Sequence, residues 1–154
     1  MAKKPRPVAS QILNRRARYD YQLGEEILVG IALTGPEVRA ARDGHIQLKG
    51  AFVTIIKDEL WLNNASFSLK LQQKGVNDRT VDTTARKLLA HRKQIDSLAA
   101  QKKSGFSIVP LKLLNKGRHI KLVIALGKGR KNYDKRHSIK QRDQERDLKK
   151  SIKL

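Results

Sequence analysis

Two stretches of this sequence carry side chains able to do chemistry on a polyanion. Arg15, Arg16 and Arg18 surround Ala17 and run into Tyr19 and Tyr21. Guanidinium groups pair with phosphates and stack on bases, and tyrosine rings stack as well. The second stretch is Gly127-Lys128-Gly129-Arg130-Lys131-Asn132-Tyr133-Asp134-Lys135-Arg136. It combines five cations and one aromatic with glycines that let backbone amides and ammonium groups come close to phosphate. The plain alternatives are a solvated arm for the first stretch and a flexible, charged linker for the second.

Nothing comparable supports catalysis. His45, His91, His119 and His137 do not stand at metal-ligand spacing with one another or with a carboxylate motif. There is no Gly-x-Ser-x-Gly, His-Glu-x-x-His or phosphate-binding loop. A metal-dependent nuclease would need clustered carboxylates, and the 14 acidic residues are scattered. The expectation is a protein that is not an enzyme and has no cofactor or metal.

The charge balance agrees with a polyanionic partner. Lys plus Arg number 34 against 14 acids, a formal charge of +20 on 154 residues. RNA, DNA and an anionic membrane surface are the candidates. The charge gathers at the ends. Residues 1–18 carry six cations and no acid, and residues 128–154 carry eleven cations and four acids. The absence of cysteine excludes disulfide scaffolds, cysteine-based zinc sites and cysteine nucleophiles. No apolar window is long enough to cross a membrane, and no apolar segment follows the basic N-terminus as a secretory signal requires. A cytoplasmic protein without membrane contact is expected.

The elements that must position these residues read mainly as strands. Ile27–Leu33, Ala51–Ile56, Glu59–Ala65, the alternating Phe67, Leu69 and Leu71, Gly105–Leu114 and Arg118–Leu126 are expected strands. Lys57-Asp58 and Asn115-Lys116-Gly117 are expected turns. Pro110 implies an edge position or a bulge. Thr34 is expected to cap a short helix ended by Gly44, with Pro36 in its first turn and Glu37 at the third position. Arg86–Lys103 is expected to be a longer helix, from an apolar stripe of Leu88, Leu89, Ile95, Leu98 and Ala99. Residues 74–85 are polar and aperiodic, an expected mobile loop. Five or six antiparallel strands with two or three helices imply a mainly β fold, a small antiparallel barrel of the OB type. The divisions are a basic arm over 1–13, the barrel over 14–131 and a basic tail over 132–154. The tail lacks the apolar residues for a core but has helix-supporting pairs such as Glu145 with Lys149. It is expected to be disordered when free and helical on a partner.

Five pieces of the sequence, in order, resemble one family. Asn14-Arg15-Arg16-Ala17-Arg18-Tyr19-Asp20-Tyr21, Thr34-Gly35-Pro36-Glu37-Val38-Arg39 with Arg42 and Gly44, Arg86-Lys87-Leu88-Leu89-Ala90-His91, Val109-Pro110-Leu111-Lys112-Leu113, and Gly127 to Arg136 with Ile139-Lys140 are similar to motifs of small protein B, the tmRNA-binding (SsrA-binding) family of bacteria. In that family the third piece begins the long helix. The chain departs from the family at Leu28, Val29 and Gly30, where an acid usually precedes Ala-Gly, and at Val81–Ala85, which lacks the usual Asp-Pro and an extra Arg.

The resemblance implies an OB-type barrel that binds the tRNA-like domain of tmRNA and carries it to stalled ribosomes for rescue and tagging. Elongation factor Tu and alanyl-tRNA synthetase take part through tmRNA. It implies tmRNA contacts at Asn14, Arg16, Arg18, Gly35, Glu37, Arg42, Arg86, Leu88, Lys121, Lys128 and Gly129. It further implies that Tyr133, Asp134, Lys135, Arg136, Ile139 and Lys140 meet the ribosomal decoding centre and the empty mRNA channel. The alternative is a generic ribosome-associated RNA-binding protein with an OB fold.

Overall fold

A computed structural model of the chain describes residues 11–70, 78–102 and 105–152. Among them are ten strands and four helices. The strands are β1 (Gln11–Leu13), β2 (Tyr21–Ile31), β3 (Ile46–Gln47), β4 (Phe52–Ile56), β5 (Glu59–Asn63), β6 (Ser66–Lys70), β7 (Arg79–Asp82), β8 (Arg86–Leu89), β9 (Ser107–Lys116) and β10 (His119–Gly129). The helices are α1 (Arg15–Asp20), α2 (Gly35–Asp43), α3 (Arg92–Lys102) and α4 (Asn132–Ile152).

The main sheet is antiparallel throughout, in the order β1-β9-β10-β2-β8-β5-β4. It closes into a barrel where Val53 of β4 pairs with Ile108 of β9. β9 therefore has two neighbours along one edge, β4 at its start and β1 at its end. Closure buries Val53, Leu60, Leu62, Leu88, Ile108, Leu113, Leu122 and Ile124, each at 2% exposure or less. A small sheet, β3-β6-β7, extends the fold, with Phe67 of β6 fully enclosed.

Local chemistry explains most of the boundaries. Lys57 and Asp58 both take positive φ, 49° and 61°, which gives the two-residue β4–β5 hairpin the twist its strands need. Pro110 sits at a bulge, because Val123 pairs with Lys112 while the next residue, Ile124, pairs with Pro110. The β9–β10 turn falls on Gly117-Arg118, so Asn115 and Lys116 of the expected turn belong to β9, while Gly117 takes the expected positive φ, 61°. Gly44 ends α2 in the left-handed region, φ 79°.

Four expectations change. Arg86–Leu89 is a strand, not the first turn of a long helix; the helix starts only at Arg92. Leu88-Leu89 fits either periodicity, and the slot between β2 and β5 decides, pairing Leu88 with both Ile31 and Leu60. Residues 79–82 of the expected loop form β7, paired along β6 from Phe67 to Lys70. Residues 15–20, for which no element was expected, form a helix, and Gln11–Leu13 of the expected arm pair with β9. β2 begins at Tyr21, six residues ahead of its apolar run, because β10 continues to pair with it as far as Gly129. The expected basic residues before Gln11, the apolar Leu71, positions 74–77 of the loop and the helix end at Lys103 lie outside the described residues.

Candidate nucleic-acid interface

The sequence-derived site residues divide by depth. Asn14, Glu37, Arg86 and Leu88 are buried, at 8% exposure or less. Asn14 caps α1 by accepting the Ala17 N–H at 3.2 Å. Its amide Nδ2 donates to the Leu48 carbonyl at 3.0 Å and to the Pro110 carbonyl at 2.8 Å. Its own backbone N–H donates to Leu111 at 2.7 Å. The side chain is fully engaged and ties α1 to two distant parts of the barrel.

Glu37 works in the same way. One carboxylate oxygen accepts the Thr34 N–H at 2.9 Å and closes the start of α2. The other accepts from Arg86 Nε at 3.0 Å. Arg86 Nη2 stands at 3.0 Å from the same oxygen as an ionic contact without hydrogen-bond alignment. Arg86 also donates to the Thr84 carbonyl at 2.7 Å and lies 3.7 Å over the Phe67 ring. Asp82 approaches it at 3.6 Å. The Asp82 carboxyl is held below its ordinary value, first by the Thr84 backbone N–H and then by the Arg86 charge. The ion pair joins α2 to β8 across the core, and Leu88 is core. These four residues build the site, and none of the four presents a free polar group to RNA.

The other residues face outward. Arg16 and Arg18 are exposed on α1, with Arg16 ion-paired to Asp20 at 3.0 Å and 5.1 Å from the Tyr19 ring centre. Gly35 opens α2, with open space where a Cβ would be. Arg42 is half-buried in the last turn of α2, its Nε enclosed with no hydrogen-bond partner among the described residues. Lys121, Lys128 and Gly129 are exposed along β10. Lys121 lines a groove of about 600 Å³ on the barrel with Leu28, Lys87, Leu89 and His91.

That groove contains residues the sequence reading passed over. Leu89 is 55% exposed and Leu28 is 47% exposed, while the neighbouring Leu88 points inward. The period-2 alternation of β8, inward for Arg86 and Leu88 and outward for Lys87 and Leu89, is the signal that would have chosen Leu89. Gly30 permits the close packing there, since a Cβ on it would lie 3.1 Å from the Leu89 Cβ.

The tail is a continuous helix of 21 residues, about 30 Å long. The sequence reading took this segment as disordered when free; in this structure it is helical. Ile139 is 42% exposed, and Arg136 and Lys140 are solvent-facing on α4. Tyr133 and Asp134 lie in its first turn. Lys135 instead turns back to the barrel, 3.1 Å from the Asp20 carboxylate and 5.7 Å from the Tyr19 ring centre. The Arg130 N–H donates to the Asp20 carbonyl at 2.8 Å just before the helix. Burial alone would raise the Asp20 carboxyl, but Lys135 and Arg16 outweigh it and hold the group below its ordinary value.

Among the described residues no group of three or more His, Cys, Asp or Glu is placed to hold a metal, and no helix is long and apolar enough to cross a membrane.

Comparison with known proteins matches this arrangement. The family model described as SmpB protein matches residues 11–154. The SsrA-binding protein of Roseiflexus sp. (strain RS-1) is 40% identical over 141 residues, 91% of this chain and 89% of that protein. The SsrA-binding protein of Chloroflexus aggregans (strain MD-66 / DSM 9485) is 38% identical over 154 residues, 99% and 97% of the two chains. That of Streptococcus pyogenes serotype M1 is 43% identical over 141 residues, 91% and 90%. A chain of the solved structure "tmRNA-SmpB: a journey to the center of the bacterial ribosome" superposes with a TM-score of 0.63 at 33% identity, covering 80% of this chain and 87% of that one. With its closed barrel, its capped α1 and its basic helical tail, this chain belongs to the SmpB protein family.

Proposed function

We propose that this protein is an RNA-binding delivery factor of trans-translation. It binds the tRNA-like domain of tmRNA and brings it to ribosomes stalled without a usable codon, leading to rescue and tagging of the nascent chain. It acts by binding rather than by catalysis, in the cytoplasm. Elongation factor Tu and alanyl-tRNA synthetase join through tmRNA. The observation that carries this reading is the alignment, over 89–97% of their own length, with relatives named SsrA-binding protein.

Two surfaces divide the work. The barrel, residues 14–131, meets tmRNA through the β10 cations Lys121 and Lys128, the Gly129 backbone, Leu89 and the α1 arginines Arg16 and Arg18. Gly35 and Arg42 of α2 border it. Asn14, Glu37, Arg86 and Leu88 serve the same face by holding its elements in place. The tail, residues 132–154, meets the decoding centre and the empty mRNA channel through Tyr133, Asp134, Lys135, Arg136, Ile139 and Lys140. An exposed basic helix with few apolar residues is marginal alone, so its helicity strengthens on the ribosome.

A competition assay at about 150 mM salt, where non-specific RNA affinity is weak, tests the reading. Labelled tRNA-like domain competes with an ordinary tRNA and with an unrelated hairpin of equal length. A preference of about a hundredfold, some 2.7 kcal/mol, is expected. Equal affinity for all three would make this a generic ribosome-associated RNA-binding protein.

A further inference from the structure

The small sheet ends in an uncovered strand. β7 pairs with β6 along one side, and among the described residues no strand pairs with its other side. Sheet edges are usually blunted by lysine, proline or a bulge. β7 has neither lysine nor proline, and its register along β6 is unbroken from Lys70–Arg79 to Phe67–Asp82. Arg79 and Thr80 are exposed, and Val81 is 68% exposed.

The phase of the open edge follows from the strand beside it. The Ser68 N–H donates to the His45 carbonyl at 3.0 Å, on the β3 side of β6. Ser68 and Val81 are therefore a non-hydrogen-bonded pair, and so are Lys70 and Arg79. The backbone N–H and C=O groups of Arg79 and Val81 consequently point to the open edge, and their two side chains share one face. That face carries an unrelieved repulsion. Side chains come closest in a non-hydrogen-bonded pair, and like charges directly opposite destabilise it. Arg79 Nη1 donates only to the Ser68 carbonyl, at 3.1 Å, and among the described residues no carboxylate pairs with Arg79 or Lys70. A phosphate would meet the cations but leave the edge carbonyls and the apolar Val81 unmatched; a strand bearing a carboxylate matches all three.

We infer that β7 is a docking edge for an extended acidic segment of a partner protein, which joins the small sheet as an antiparallel fourth strand with a carboxylate opposite Arg79 and an apolar residue opposite Val81. Because it runs against β7, the segment reads apolar, any residue, acid from its N-terminus. No residue of β7 lines the Lys121 groove, so the segment and tmRNA occupy different places on the barrel.

The test uses the full chain without RNA and capped synthetic peptides as probes. With Ser-Thr-Val-Thr-Glu-Thr-Ser at about ten times its Kd, amide exchange of Arg79 and Val81, whose N–H groups face the edge, should slow about tenfold. Thr80 and Asp82, already bonded to β6, should change little. Moving the acid one place, in Ser-Thr-Val-Glu-Thr-Thr-Ser, turns it to the other face and should weaken binding severalfold. Arg79→Gln should erase the difference between these two peptides. Lys149→Gln, an equal loss of charge on α4, should preserve it. Arg79→Glu should shift the preference to a peptide with lysine in place of the glutamate. Equal affinity of the parent for the two acidic peptides would mean that net charge alone attracts them, and would overturn the inference. So would a preference that survives Arg79→Gln. Protection of the same amides by a short RNA duplex of mixed sequence and not by peptide, or by a rise in protein concentration alone, would give the edge to RNA or to a second copy and overturn it as well. Lys121→Gln, on the tmRNA groove, should leave peptide binding unchanged, so failure of this reading is told from failure of the tmRNA reading.

Discussion

The inward and outward members of the family motifs behave as two different materials. Asn14, Glu37, Arg86 and Leu88 are sealed in the barrel, and the side chains of Asn14, Glu37 and Arg86 are engaged by the protein's own backbone and side chains. Arg18, Leu89, Lys121 and Lys128 lie one or two residues from a buried position and face solvent. Adjacent residues of one motif thus do separate jobs. The first group fixes where the second stands, and its loss should register as instability, whereas loss of the second should register as weak RNA binding in a stable protein.

The sharpest way to break this distinction is Arg86→Ala. Removing one partner of a buried ion pair leaves Glu37 charged and uncompensated, a cost of about 3–5 kcal/mol. Denaturant unfolding followed by Trp61 fluorescence should detect it. An RNA-binding defect at unchanged stability would move Arg86 to the outward group. Next comes the pair Leu88→Ala and Leu89→Ala. The first empties a core position and should cost about 2–5 kcal/mol. The second should stay within about 0.5 kcal/mol of the parent while weakening the tRNA-like domain complex. A reversed pattern would mean that the strand register of β8 is wrong. Third, Lys121→Gln should leave the unfolding curve in place and reduce the salt slope of tmRNA binding by about 0.7–0.9. A slope identical to the parent's would remove Lys121 from the RNA surface.

The smallest effect concerns the junction between barrel and tail. Asp20 has a lowered carboxyl value in the folded protein, so its contribution is present above the ordinary carboxyl range, about pH 4, and is lost as pH falls through the lowered value. In a His137→Gln variant, which removes the neighbouring imidazole, amide shifts of residues 130–136 should be constant from about pH 5 to 8 and should move together only in acid. Movement near neutrality would mean that Asp20 does not hold Lys135.

Much of the barrel was legible because period-2 alternation and turn chemistry act locally. The β4–β5 hairpin, the capped α2 and the bulge at Pro110 needed only neighbouring residues. Leu88-Leu89 was misread because two adjacent leucines satisfy both helical and strand spacing, and only the empty slot between β2 and β5 distinguishes them. The short helix α1 was missed because its cap, Asn14, draws its strength from carbonyls 34 and 96 residues away. The charged residues were easily found, but their depth was not. A guanidinium that binds phosphate and one that pairs with a buried Glu37 look alike until the core is assembled.

The partnership of β1 with β9 has a consequence for the timing of synthesis. Gln11–Leu13 find their partners only at Lys112–Leu114, and Asn14 needs the carbonyl of Pro110. At roughly 5–20 residues per second of elongation, the N-terminal arginines leave the ribosome about 5–20 s before the strand that will seat them exists. Until then the first hundred residues are an unclosed, strongly basic polypeptide beside a polyanionic ribosome. Long-range pairing of this kind also folds slowly, in milliseconds to seconds. A chain interrupted before β9 therefore lacks the partner for β1 and one of the two anchors for Asn14, whatever basic residues it already displays.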